Sequence, residues 1–182
     1  MAEIKSTLDL VMERTRDLSL SEEEKAAQQK EAFEKRLQGL LQQYADQALN
    51  PKSFQQERDA LESEYRIHDP GSIVQAVGER IDPSGDNRRW LDLLAALVPQ
   101  VVSDLETLLT EHRNQGHAIE VEAMARSARM LSQQHAISGA AVLSNTEKDQ
   151  QFRDQRDRLE NRTRTRIKEM LHRAQNQEAS SQ

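Results

Sequence analysis

Few residues in this chain have types and spacings that could do chemistry, and they fall into four groups. Glu169 and His172 lie three apart, so a helix would place a carboxylate and an imidazole one turn apart, the spacing used by carboxylate-bridged metal bundles. Such a site needs a second Glu-x-x-His and further inward carboxylates. No second copy occurs in the sequence, so a surface pair is the plainer reading. His112, His117 and Glu120 flank Gly116 and could hold a borderline metal. His68 and His135 fall on apolar stripes, where hydrogen-bonded core or rim histidines are the ordinary outcome. Arg162, Arg164, Arg166 and Lys168 form a basic run whose two-residue spacing spreads it around a helix. Glu160 stands four residues before Arg164, which leaves Arg162 and Arg166 as the pair that could touch phosphate; a solvated face is the simpler expectation.

Beyond these groups the chemistry runs out. No glycine-rich phosphate loop, strand-turn-helix nucleophile motif or paired-carboxylate signature is present. The chain has no cysteine, which excludes disulfides, thiolate metal sites and cysteine nucleophiles. No catalytic, cofactor-binding or metal residue is therefore assigned, and the chain is not expected to be an enzyme. A net charge of −6 argues against a general affinity for nucleic acid or anionic lipid. The first residues, MAEIKSTLDL, lack the apolar run of a secretory signal, and no window approaches 18 apolar residues. The expectation is a cytoplasmic protein with no membrane contact.

The elements that would position these residues are all helical. Leu, Ile, Val and Phe make up only 38 of 182 residues, and no run alternates as a half-buried strand does. The apolar material gathers between Asn87 and Gly116. There Trp90, Leu94, Leu97, Val101, Leu105 and Leu108 form one helical stripe, with Leu91, Val98, Val102 and Leu109 beside it. Asp86 or Asn87 can cap the start and Gly116 the end. Pro99 costs about 3 kcal/mol inside a helix. Because the stripe keeps its phase through Pro99, the expectation is one kinked central helix.

Before this lies a predicted antiparallel hairpin. Ser21 and Glu24 form a capping box that starts a helix running to about Ala48. Asn50-Pro51 then turns the chain into a second helix ending near Ile67. Phe33, Leu37, Leu40 and Tyr44 share offsets with Phe54, Arg58, Leu61 and Tyr65. Folding back about Leu49 therefore pairs Phe33 with Tyr65, Leu37 with Leu61 and Tyr44 with Phe54, with one helical turn of slip allowed because the loop could run on to Ser53, and Gly39 is expected to admit the partner helix closely. Ser72 is expected to cap a short helix reaching Ile81. After Gly116 a further helix is expected to bury Val121, Met124, Ala128, Leu131 and His135. Ser144 to Glu147 reads as a second capping box opening a charged final helix. Asp149/Arg153, Asp154/Arg158, Glu160/Arg164 and Glu169/Arg173 are its acid-before-base pairs, worth roughly 0.2–0.5 kcal/mol each.

The expected organisation is an all-α, elongated helical bundle with five parts. Residues 1–20 are an amphipathic docking helix, 21–68 the hairpin, 69–144 a helical core, 145–174 the long charged C-terminal helix and 175–182 a disordered tail. The opening MAEIKSTLDLVMERT, followed by LSLSEEEK, resembles the start of an uncharacterised family of small bacterial all-helical proteins. The resemblance implies a bacterial cytoplasmic source and carries over no site. The function expected is a non-enzymatic interaction or scaffold protein, homodimeric, presenting helix faces to an unidentified protein partner. An export or assembly chaperone holding an amphipathic client segment is the alternative. A metal-binding helical-bundle enzyme, built on Glu169/His172, is a third.

Overall fold

The computed structural model describes residues 21–135, 139 and 145–179. Among them are six α-helices and no strand: α1 Glu22–Ala45, α2 Pro51–Tyr65, α3 Pro70–Gly78, α4 Arg88–Leu97, α5 Val102–His135 and α6 Gln150–Ala179. Short 3-10 turns occupy Pro99–Val101 and Thr146–Lys148. None of the described helices is long and apolar enough to cross a membrane. The expected docking helix of residues 1–20 and the side chain of His135 lie outside the described residues.

The chain divides into two compact units. Of the described residues, the first holds those up to Leu49 together with Ser53–His68, and the second holds Asn50–Lys52 with those from Asp69 onward. The long charged helix is therefore part of the second unit rather than an extension of it. It also continues past residue 174 to Ala179, where Gln175 donates through Nε2 to the carbonyl of Gly71 in α3 at 2.7 Å.

In the first unit the capping box at Ser21 forms as expected. The Glu24 amide donates to Ser21 Oγ at 3.1 Å, and the Ser21 amide to Glu24 Oε2 at 2.7 Å. Two edge-to-face ring pairs fix the hairpin antiparallel: Phe33 with Tyr65 at 6.2 Å and Tyr44 with Phe54 at 5.6 Å between centroids. Phe33, Leu37, Leu41, Tyr44 and Phe54 are fully buried. Both helices end on a non-glycine residue in the left-handed region, Gln47 at φ 65° and Arg66 at φ 52°. In each case the next amide reaches back: Ala48 to the carbonyl of Gln43, and Ile67 to that of Glu62. Gly39 does not admit the partner helix; a Cβ there would meet nothing within 4 Å. The bulky ring pairs hold the helices apart at that level, leaving open space.

In the second unit Pro99 breaks the helix rather than kinking it. Val98, forced out of the helical region by the proline that follows, sits at φ −143° and ψ 69°. Helix α4 therefore ends at Leu97, and α5 starts afresh after one 3-10 turn. The break also shifts the inward face of α4, which buries Leu93, Leu94 and Val98 while Trp90 and Leu97 stay partly exposed. Gly116 ends nothing, because α5 runs through it to His135. Its missing Cβ instead lies about 4.0 Å from Leu159 of α6.

Two further starts differ from the sequence reading, each because a neighbouring aspartate reaches the amides first. Asp69, not Ser72, caps α3 by accepting from the Ser72 amide at 3.0 Å, with Pro70 in the first turn. Asp149 caps α6 by accepting from the amides of Gln151 and Phe152 at 2.9 and 3.3 Å. Of the four expected acid-base pairs on α6, only Glu160/Arg164 is bonded, at 2.9 Å. Asp149 is committed to its cap and to Arg126, and Asp154 accepts from Gln150.

Candidate functional site

Helices α5 and α6 run antiparallel, their register fixed by three contacts. His112 meets Thr163, Gly116 lies level with Leu159, and Arg126 reaches Asp149. Along α6 the inward stripe is Phe152, Leu159, Thr163, Ile167, Leu171 and Ala174, all buried. Thr163 is the one polar member, and it faces His112, which occupies the next inward position of α5 after Leu105, Leu108 and Leu109.

That pair is only 7% and 3% exposed, so every polar atom in it must be paired. Thr163 donates its hydroxyl to the carbonyl of Leu159 at 2.9 Å, and can therefore only accept from His112. His112 Nδ1 then carries the proton and donates to Thr163 Oγ1 at 2.9 Å. Nε2 is left as an acceptor for the Ser84 hydroxyl at 3.3 Å. The imidazole so ties α5, α6 and the loop before α4 together in its neutral form. Loss of water around the ring pulls its pKa below the usual value and Arg162 adds to the effect, while Glu160 and Asp82 oppose it. Asn87 braces the same loop. Its Oδ1 accepts from the Asp82 amide at 2.9 Å, and its Nδ2 donates to the Asp82 carbonyl at 2.6 Å. Of the two residues expected to cap the start of α4, Asp86 is the one that accepts from a first-turn amide, that of Arg88 at 3.1 Å.

The structure does not bring the candidate metal ligands together. His112 points into the core, whereas His117 and Glu120 are exposed. Glu169 and His172 are both exposed, with His172 Nδ1 3.2 Å from Asn176 Nδ2. Among the described residues, no three His, Asp or Glu side chains are placed to hold a metal ion. His68 is a rim residue, exposed and 2.7 Å from Glu62 Oε2. Of the basic run, Arg162 donates to Gln115 and Arg164 to Glu160, while Arg166 is exposed.

Among the described residues, two surfaces stand out as able to bind another molecule. The first is the outer side of α5. Its second half buries Ala123, level with Phe152 of α6 in the helix register. Val121 and Met124, which the spacing expects to be buried, are instead 50% and 44% exposed; Ala128 is exposed too, and Leu131 half-buried. The stripe was legible, but its direction was not. Ala123 is the residue buried there, whereas Val121, Met124 and Ala128 of the stripe are exposed. The second surface is an open groove of about 560 Å³ in the hairpin, lined by Ala32, Gly39, Leu40, Ala60, Leu61 and Tyr65. Arg36 and Glu64 approach across it to 3.9 Å.

Fold and surface together define an all-helical protein that exposes apolar side chains on a helix of its second unit. The chain matches no family model, no curated protein and no solved structure.

Proposed function

We propose that this is a non-enzymatic interaction protein of the bacterial cytoplasm, one that self-associates and presents helix faces to a protein partner. The carrying observation is the outer stripe of α5. Val121, Met124 and Ala128 are exposed on α5 while Ala123 is buried, so water rather than protein meets two large apolar side chains. Exposed apolar stripes of this kind mark association sites, and a second copy is the simplest cover because it needs no further gene product. Multi-angle light scattering at micromolar concentration is expected to return twice the chain mass of 20.8 kDa. A compact monomer across that range removes the reading.

A second reading, an export or assembly chaperone, draws on the hairpin groove. Its small and apolar lining residues suit an amphipathic client helix, and Lys35, Arg36, Glu57 and Glu64 in the same lining offer both signs of charge. Pull-down from a native lysate should then recover one dominant client. Recovery of the protein alone counts against it.

A further inference from the structure

We propose that Ser84 is a nucleophile that His112 activates, and that it takes an acyl group from a short, uncharged carboxylic ester held in the cleft beside it. This goes beyond the self-association reading and uses other residues of the second unit. A single acyl transfer to the chain itself is a modification and needs no turnover. Ser84 lies in the loop before α4, in a turn that leaves it little freedom. Its amide donates to Asp82 Oδ1 at 3.0 Å, and the Gly85 amide donates to the Asp82 carbonyl at 2.9 Å. Asn87 Nδ2 donates to the carbonyls of Asp82 and Gly85, at 2.6 and 3.3 Å, and so holds the same turn from inside.

A nucleophilic serine needs a base within hydrogen-bond reach, a third group that fixes the tautomer of that base, and room for a substrate. All three are present. Because Nδ1 of His112 donates to Thr163, Nε2 is the basic nitrogen, and it accepts from the Ser84 hydroxyl at 3.3 Å. Such pairs are often this long before a substrate closes on them. Thr163 cannot reverse its role, since its own proton is given to the Leu159 carbonyl. The carboxylates of Glu160 and Asp82 favour the imidazolium that forms when the ring takes the serine proton, against burial and Arg162. A purely structural tie would need no cleft. Here the base is buried, whereas Ser84 is exposed and lines an open cleft of about 600 Å³, within the size usual for small-molecule sites.

The lining sets the class of donor. Arg88 and Arg113 are balanced by Asp86 and Glu106, so an uncharged ester fits better than an anionic one, and Leu91 and Leu109 suit a short acyl chain. In the reaction, Ser84 Oγ bonds to the ester carbonyl carbon as its proton passes to His112 Nε2. The tetrahedral adduct then breaks the bond from that carbon to the leaving oxygen, which takes the proton from Nε2. The products are an ester of Ser84 and a free alcohol, and nothing is oxidised or reduced.

The probe is 4-nitrophenyl acetate. The full chain, which has no cysteine to compete, is expected to release one equivalent of nitrophenolate, and peptide mass mapping should place the acetyl group on Ser84. Ser84→Ala removes one hydroxyl from an exposed loop and should abolish that adduct with helical circular dichroism unchanged. His112→Gln can still bond to Thr163 but cannot take the proton, and should slow acetylation of Ser84 by about a hundredfold or more. Thr163→Val should slow it as well, and Thr163→Ser, which restores the hydroxyl, should recover the rate. Release past one equivalent that is lost in Ser84→Ala would also support the proposal, water then clearing the acyl group. Acetyl found only on lysines or the terminal amine, with release unchanged in Ser84→Ala, overturns it. So does a Ser84 acetylated as fast in His112→Gln as in the unmodified chain. None of these readouts depends on the mass of the protein in solution, so this proposal and the self-association reading stand or fall separately.

Discussion

His112 shows how one buried side chain can set the acid limit of a fold. Its pKa lies below the ordinary histidine value because burial penalises the charged ring. The folded state therefore binds the proton less well than the unfolded chain. The stability this contributes is present above the unfolded value near 6.5, and is lost as pH falls through the lower folded value. The urea midpoint is accordingly expected to fall as pH drops below about 6.5. His112→Gln, which can still hydrogen-bond Thr163, should flatten that slope; an unchanged slope would place the proton uptake elsewhere. A second expectation at this scale concerns Gln47, held at φ 65° at the end of α1. Gln47→Gly relieves left-handed strain and should raise stability by about 0.5–1 kcal/mol, measured by chemical denaturation. Neither residue could be assigned from sequence. A glutamine gives no sign that it must take a glycine's conformation, and the pairing of His112 with Thr163 spans 51 positions.

Among the elements, the contact of α3 with α6 depends on an absent methyl group. A Cβ on Gly78 would lie 2.2 Å from Leu171 Cδ1, and Leu171 is fully buried with little room to turn. Gly78→Ala is therefore expected to destabilise the second unit by about 1–3 kcal/mol in thermal or urea unfolding; a neutral effect would mean that the two helices can separate at no cost. The start of α6 depends on charge as well as on caps. Burial pushes the Asp149 carboxyl up, but hydrogen bonds from Arg126 and from the amides of Phe152 and Gln151 outweigh it and hold the pKa below the ordinary range. This anchoring explains why the helix begins at Gln150 and not at the Ser144–Glu147 pattern. Helix existence could be read from the chain here, whereas the choice between two competing caps depended on Arg126, 23 positions away. At Pro99 apolar spacing could not reveal the break: Leu94, Val101 and Leu105 of the stripe are buried, but Trp90 and Leu97 are not.

Taken as a whole molecule, the chain combines a lean core with one apolar face turned outward, and its stability should then depend on its own concentration. A folded dimer is favoured by mass action, so the thermal midpoint is expected to rise between about 1 and 100 μM in differential scanning calorimetry. A midpoint independent of concentration, reversible and with a monomer's mass in solution, would contradict self-association.

What the amino-acid sequence determined by itself is what short-range physics decides. Helical class, the capping box at Ser21, and the hairpin partners Phe33/Tyr65 and Tyr44/Phe54 follow from hydrogen bonds within a turn and from apolar periodicity about a short connection. Tertiary structure alone decided which side of α5 faces inward, that Gly78 and not Gly39 is the point of close approach, and that His112 is a core tie rather than a ligand. Each of those outcomes depends on a helix distant in sequence competing for one of two available faces. Local spacing shows that a face is apolar, and only the packed neighbour settles whether protein or water will meet it.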